Sequence, residues 1–180
     1  MRNQKVNKSN FFKICLIVIA TILLAGCSNS EENNQSSNNF INSGISTEDT
    51  SNMQKLNCTR EANAGAGIDV DLNYEVYYQG EYIKILHSME SVTTENQETL
   101  DEYETAYKNI AKNYEGLKYY DQTVTRTNNK VNNDTVINYG KIDTNKLLEI
   151  EGEEDNIIKD GKVKLDDWLN FAKKFGTKCE

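Results

Sequence analysis

Ile68-Asp69-Val70-Asp71-Leu72-Asn73-Tyr74-Glu75-Val76-Tyr77-Tyr78 is the stretch whose pattern decides the fold. Ile68, Val70, Leu72, Tyr74, Val76 and Tyr78 alternate with Asp69, Asp71, Asn73, Glu75 and Tyr77. A period of two turns the first set to one sheet face and the second to the other, which predicts a half-buried strand. Gln79-Gly80 supplies a turn, and Tyr82 to Met89 returns as the hairpin partner. Downstream the period changes. Leu100, Tyr103, Tyr107, Ile110, Ala111 and Tyr114 share one helical face, and Gly116 is placed to end that helix. Thr94 with Gln97 resembles a capping box, and Glu95 and Glu98 suit the positive end of a helix dipole. Tyr119 to Thr127 and Thr135 to Ile142 predict two more strands around the Asn-rich turn 128–134. A short helix is expected from Thr144 to Ile150. A last one is expected from about Asp166 to Phe175, with Trp168, Leu169 and Ala172 inward and Gly176 closing it. Locally paired strands with helices between them predict an α+β fold, an antiparallel sheet of two hairpins with helices packed on one face.

Upstream of this domain the chain has another character. Arg2, Lys5, Lys8 and Lys13 precede an apolar core of 11 residues, Ile14 to Leu24. That core is too short for a spanning helix, which needs roughly 20 apolar residues, and it suits a signal segment. Leu24-Ala25-Gly26-Cys27 follows and resembles the bacterial lipobox. The resemblance implies diacylglycerol transfer to the Cys27 thiol and cleavage after Gly26. Residues 1–26 are therefore expected to be a lipoprotein signal peptide, which would carry Cys15 away with it. Two acyl chains anchor stably where one is marginal. Residues 27–54 are rich in Ser, Asn, Glu and Thr and read as a lipid-anchored disordered tether. At about 5–6 Å times the square root of length, its reach is on the order of 30 Å. Residues 55–180 are expected to form the single folded domain.

The chain has 180 residues, 28 acids, 20 bases, one histidine, four cysteines and no proline. Phosphate recognition requires clustered bases, so the acid excess argues against nucleic acid. One histidine leaves little room for histidine metal sites or triads. Cys58 and Cys179 remain after the expected processing, and one pair allows one intramolecular connectivity. Outside the cytosol that pair is expected to be a disulfide, and neither cysteine belongs to a C-x-x-C motif.

Several constellations carry groups capable of chemistry. Asp69, Asp71, Asn73 and Glu75 are spaced like calcium-loop ligands, but the apolar residues between them extend the chain, so a solvated strand face is expected. Asn156 to Asp167 has an EF-hand flavour, but Ile158 stands where an oxygen ligand is required, and Asp160-Gly161 reads as a turn. The acidic run Glu149, Glu151, Glu153, Glu154 and Asp155 reads as surface. Gly65-x-Gly67 follows no clear strand and reads as a loop, and His87 reads as structural or surface. Carboxylates for glycoside hydrolysis would be paired in space, and the sequence singles out none. Tyr77 with Tyr78 and Tyr119 with Tyr120 point alternately to the two faces of their strands, so exposed rings that stack on sugars or anchor a partner are expected among them.

Lipobox, tether, hairpin, tyrosine-rich helix, second hairpin and closing helix follow in that order. With Tyr107-Lys-Asn-Ile-Ala-Lys-Asn-Tyr-Glu-Gly-Leu117 and Asp160-Gly-Lys-Val-Lys-Leu165, the chain resembles the YehR-like family of small bacterial lipoproteins over about residues 56–180. The resemblance implies an α+β domain with no established activity and no catalytic residues to carry over. The Cys58/Cys179 pair and the long tether depart from that family's pattern.

These observations lead to one expectation with two rivals. The leading reading is a lipid-anchored, extracytoplasmic, non-catalytic binding module at the cell membrane. It would use no cofactor and no metal, remain a monomer, and bind an envelope protein or glycan. One rival is a carboxylate-based envelope hydrolase. The other is an inhibitor or immunity lipoprotein against a basic lytic enzyme, steered by the net charge of −12 that remains after cleavage.

Overall fold

The computed structural model describes residues 50–65, 67–153 and 156–180. Cys27, the signal segment and the tether up to residue 49 lie outside the described residues, as do Glu154 and Asp155 of the acidic run. The elements run β1 (Gln54–Asn63), β2 (Asp69–Gln79), β3 (Tyr82–Thr93), α1 (Gln97–Asn113), β4 (Tyr120–Arg126), β5 (Lys130–Asn138), α2 (Thr144–Glu151), β6 (Ile158–Lys159), β7 (Lys162–Lys164), α3 (Leu165–Lys174) and β8 (Lys178–Cys179). Every strand pairing is antiparallel, in the order β4-β5-β3-β2-β1-β8, with β7 added to β3 and β6 to β7. The fold is α+β.

The alternating run forms β2 at the centre of the sheet. Val70, Val92 and Val131 stand side by side on β2, β3 and β5 and pack under Leu100, Tyr103, Tyr107 and Ile110 of α1. Val76 and Leu86, further along the same face, pack with Leu147 of α2 and with Trp168 and Ala172 of α3. α1, α2 and α3 therefore cover one face. The opposite face carries a smaller cluster of Tyr77, Ile85 and Val136, with Met53 against it.

The sheet exceeds two hairpins. β1 pairs with β2 along its whole length, and β8 returns the C-terminus to β1. A register shift marks the β2–β3 hairpin, because Tyr77 faces Ile85 while Tyr78 faces Ile83. Lys84 is the extra residue of this bulge, and there the partner of β3 changes from β5 to β7.

Two local expectations are corrected. Residues 130–134 belong to β5 instead of a turn, because Val131 is fully buried opposite Val92 and tertiary pairing outweighs the turn preference of the asparagines. Thr94 does not cap α1. Asn96 does, accepting from the Thr99 N–H, while the Thr94 hydroxyl accepts from the Asn96 N–H. At Asp160-Gly161 both residues have positive φ, 50° and 70°, and form the β6–β7 turn the sequence predicts.

Candidate functional site

The candidate site lies where the C-terminal end of α1 meets β4. Ala111, Lys112, Tyr114, Leu117, Tyr120 and Gln122 border an open groove of about 430 Å³. Tyr114, one turn beyond Ile110 on the buried stripe of α1, stacks on Tyr120 at the start of β4, with ring centroids 4.1 Å apart and planes 4° from parallel. The chain can reverse between them because Gly116 (φ 80°) and Tyr119 (φ 69°) take left-handed backbone. The Tyr114 hydroxyl donates to Glu151 at 3.4 Å, and the Tyr120 hydroxyl donates to Gln122 Oε1 at 2.9 Å. Burial raises the Glu151 carboxyl above the usual carboxylate range, opposed by its bonds from Asn156 and Tyr114.

Behind the groove runs a polar layer that separates the two hydrophobic clusters. The Gln122 amide donates to Asn133 Oδ1 at 2.7 Å, and Asn133 stands beside Glu90 in the register. Glu90 in turn faces Leu72, and Leu72 faces Arg60. The helix-covered face thus carries one row, Arg60–Leu72–Glu90–Asn133, with a charge on each side of the central leucine. Arg60 is 7% exposed and Glu90 8%. Arg60 Nη1 and Glu90 Oε1 are buried and lack a hydrogen-bond partner among the described residues. Burial pushes the Glu90 carboxyl up to about 7, while the Tyr107 hydroxyl, the Arg60 charge and the Asn133 amide beside it oppose the rise. The same burial raises Tyr74 well above its ordinary value, with the Glu90 charge adding to the effect.

The other face holds a second polar group of a different kind. Glu75 and His87 are opposite one another on β2 and β3, and His87 is 3% exposed. The His87 ring contacts Glu75 through Nδ1 at 3.4 Å and Asp134 through Nε2 at 2.8 Å. Lys55 and the Tyr77 hydroxyl also donate to Glu75. Burial alone would lower the His87 pKa, but Asp134 and Glu75 outweigh it and hold the imidazolium up to about 9. Burial alone would raise Glu75, but His87 and Lys55 hold it down to about 2. Each charge is satisfied by its neighbours, which makes the group a cross-strand clamp. Glu75 thereby departs from the solvated strand face expected of it, whereas Asp69 and Asn73 are exposed.

The four tyrosines singled out in the sequence do not come together. Tyr77 is buried in the clamp, Tyr78 is half-buried beside the bulge, Tyr119 is 52% exposed, and Tyr120 stands in the groove. Cys58 and Cys179 are bonded across β1 and β8. The Asn57–Glu180 pair next to them exchanges both backbone hydrogen bonds, so the cysteines occupy the non-hydrogen-bonded pair, where side chains lie closest. Among the described residues no cluster of three His, Cys, Asp or Glu side chains could hold a metal ion, and no helix is long and apolar enough to cross a membrane. Sequence reasoning missed Arg60 and Glu90, because β1 shows no alternating apolar face and the predicted strand from Tyr82 stops at Met89, one residue short of Glu90.

No protein-family model matches the chain, and no curated protein matches it. The NMR structure of the E. coli YehR protein superposes with a TM-score of 0.50 at 15% identity, over 71% of this chain and 92% of that one. An NMR structure of a protein from Streptococcus pneumoniae TIGR4 gives a TM-score of 0.47 at 10% identity, over 87% and 100% of the respective chains. The likeness to YehR, carried by the arrangement of strands and helices at low identity, assigns the chain a YehR-like fold.

Proposed function

We propose that the protein is a lipid-anchored, extracytoplasmic, non-catalytic binding module whose ligand seats in the groove between α1 and β4. One observation carries the reading of the domain: a groove edged by Tyr114, Tyr120 and Leu117 is backed by buried charges that have no full set of partners. A buried polar atom left unpaired costs about 1–3 kcal/mol, so Arg60 Nη1 and Glu90 Oε1 are not expected to be held there for packing alone. Aromatic surface with Lys112 and Glu115 beside it is the chemistry that stacks on and hydrogen-bonds a sugar. An envelope glycan is therefore the ligand class. The lipobox-like Leu24-Ala25-Gly26-Cys27 supports the anchor, and the Cys58–Cys179 bond is compatible with an oxidising compartment.

The test titrates the full chain with solubilised wall-glycan fragments, following binding by calorimetry and new reducing ends in the same samples. Saturable binding without new reducing ends is expected, weakened about tenfold or more by Tyr120→Ala. Reducing ends that disappear in Glu90→Gln would replace this reading with the hydrolase. Affinity for a basic lytic enzyme that falls steeply with salt, without glycan binding, would replace it with the inhibitor.

A further inference from the structure

The end of the sheet built by the bulge carries three exposed lysines in a chain that is acidic overall. β7 turns Val163 inward against Ile83 and Ile158, so Lys162 and Lys164 project from the opposite face. Lys159 pairs with Lys162 and joins them, and Tyr82 pairs with Lys164. The Lys162 ammonium lies 5.0 Å from the centre of the Tyr82 ring, which places lysine and ring on one surface. All three lysines are exposed. Glu81 and Asp160 at the flanking turns, and Asp166 and Asp167 in the first turn of α3, offset part of this charge. The far end of the same strands has the opposite sign, with Glu61, Asp69 and Asp71 on β1 and β2. One end of the sheet thus presents a lysine cluster and the other a cluster of acids.

The chain enters the domain at the lysine end. Gln54, the first residue of β1, pairs with Tyr78, Tyr78 with Ile83, Ile83 with Val163, and Val163 with Ile158. Four strand spacings of about 4.8 Å put Gln54 roughly 19 Å from the β6–β7 hairpin. A tether arriving at Gln54 from a membrane anchor would bring this end of the domain toward the bilayer first.

We propose that Lys159, Lys162 and Lys164, with Tyr82 among them, form a docking surface for anionic lipid headgroups, which holds the domain with its lysine end against the membrane and its acidic end away from it. This rests on the lipid anchor at Cys27 proposed above. A tyrosine ring with lysines around it suits the headgroup layer, where an apolar body and a charged rim are both solvated, and basic residues near an anionic surface add up. The consequence is orientation. The domain would be fixed relative to the bilayer instead of sampling the whole reach of its tether.

The test uses the lipid-anchored chain purified from membranes and reconstituted into vesicles of phosphatidylcholine alone or mixed with phosphatidylglycerol. The vesicles are floated, lysines are acylated with an amine-reactive reagent, and each site is read by mass spectrometry. Lys159, Lys162 and Lys164 are expected to react about fivefold more slowly on anionic than on neutral vesicles, given about 1 kcal/mol per lysine near such a surface. Lys130, at the acidic end beside Thr93, should react equally on both. Salt should erase the difference, and a Lys162→Glu/Lys164→Glu variant should float normally yet lose protection at Lys159. Equal reaction on both kinds of vesicle, or equal protection on both, overturns the inference. A chain that does not float overturns the anchor and this inference with it, whereas a floating chain with equal labelling overturns this inference alone.

Discussion

Replacing Glu90 with glutamine isolates the cost of the charge buried beneath α1. The ordinary carboxyl value is 4.5, and in the folded domain burial raises it to about 7. Below pH 4.5 the group is protonated in both states and contributes no pH dependence. Between 4.5 and 7 the unfolded chain releases its proton while the folded domain retains it, so stability falls as pH rises. Above 7 both states are ionised and the loss is complete. At 1.36 kcal/mol per pH unit the loss is about 3 kcal/mol, and the attraction of Arg60 is already contained in the value of about 7. Glutamine has the shape of the neutral acid and does not ionise. Glu90→Gln is therefore expected to match the parent at pH 4 and to exceed it by up to about 3 kcal/mol at pH 8, or roughly 10 °C in Tm for a domain of this size. The assay is urea unfolding of parent and variant, disulfide intact, at pH 4, 6 and 8. A difference that stays flat across that range, or a variant less stable than the parent at pH 8, refutes the reasoning. It would mean that Glu90 is ionised and satisfied in the fold.

The clamp on the other face predicts a charged histidine at neutral pH. The His87 ring is expected to titrate near pH 9 by NMR, and Asp134→Asn should lower that midpoint. The sign follows: a folded pKa raised from 6.5 gives stability that is fully present below 6.5 and is lost as pH rises through about 9. A midpoint at or below 6.5 would remove the clamp. Cys58→Ser opens a crosslink spanning a sequence separation of 121 and should cost up to about 4–5 kcal/mol. Hydrogen exchange should quicken first in β8 and the middle of β1, and unchanged denaturant midpoints would count against a stabilising crosslink.

Legibility followed the local pattern and failed where long-range pairing mattered. The run from Ile68 to Tyr78 announced β2 because one complete face of it is apolar. β1 could not announce itself in the same way. Its inward row is Leu56, Cys58, Arg60 and Ala62, of which only Leu56 is a large apolar residue. The clamp was hidden by register. Had the β2–β3 hairpin run without a bulge, keeping the pairing of Gln79 with Tyr82, Glu75 would have faced Leu86, whose side chain belongs to the other face. One extra residue at Lys84 shifts the pairing, so that Glu75 meets His87 and both sets of apolar residues reach their own sides. The sequence does carry a trace of this, since Ile83 and Ile85 alternate and Leu86 then breaks the period.

The candidate site shows why a charge in a strand should be read through its neighbours. A strand prediction that ends at Met89 leaves Glu90 outside the sheet and hence outside the core. With β3 continuing to Thr93, the same two-residue period that buries Val92 must also turn Glu90 under α1. Arg60 follows from the opposite side, because the pairing that seats Ala62 beside Val70 also seats Arg60 beside Leu72. Neither charge can leave the core without moving a strand that holds its apolar neighbours. Geometry therefore fixes the two charges in the interior, and packing does not supply a complete set of partners for either. A buried arginine and a buried glutamate held in this way, each with one unpartnered atom, differ from the His87 clamp, whose charged side chains contact one another directly. That contrast supports the proposed site behind Tyr114 and Tyr120 on the helix-covered face, with the clamp serving stability.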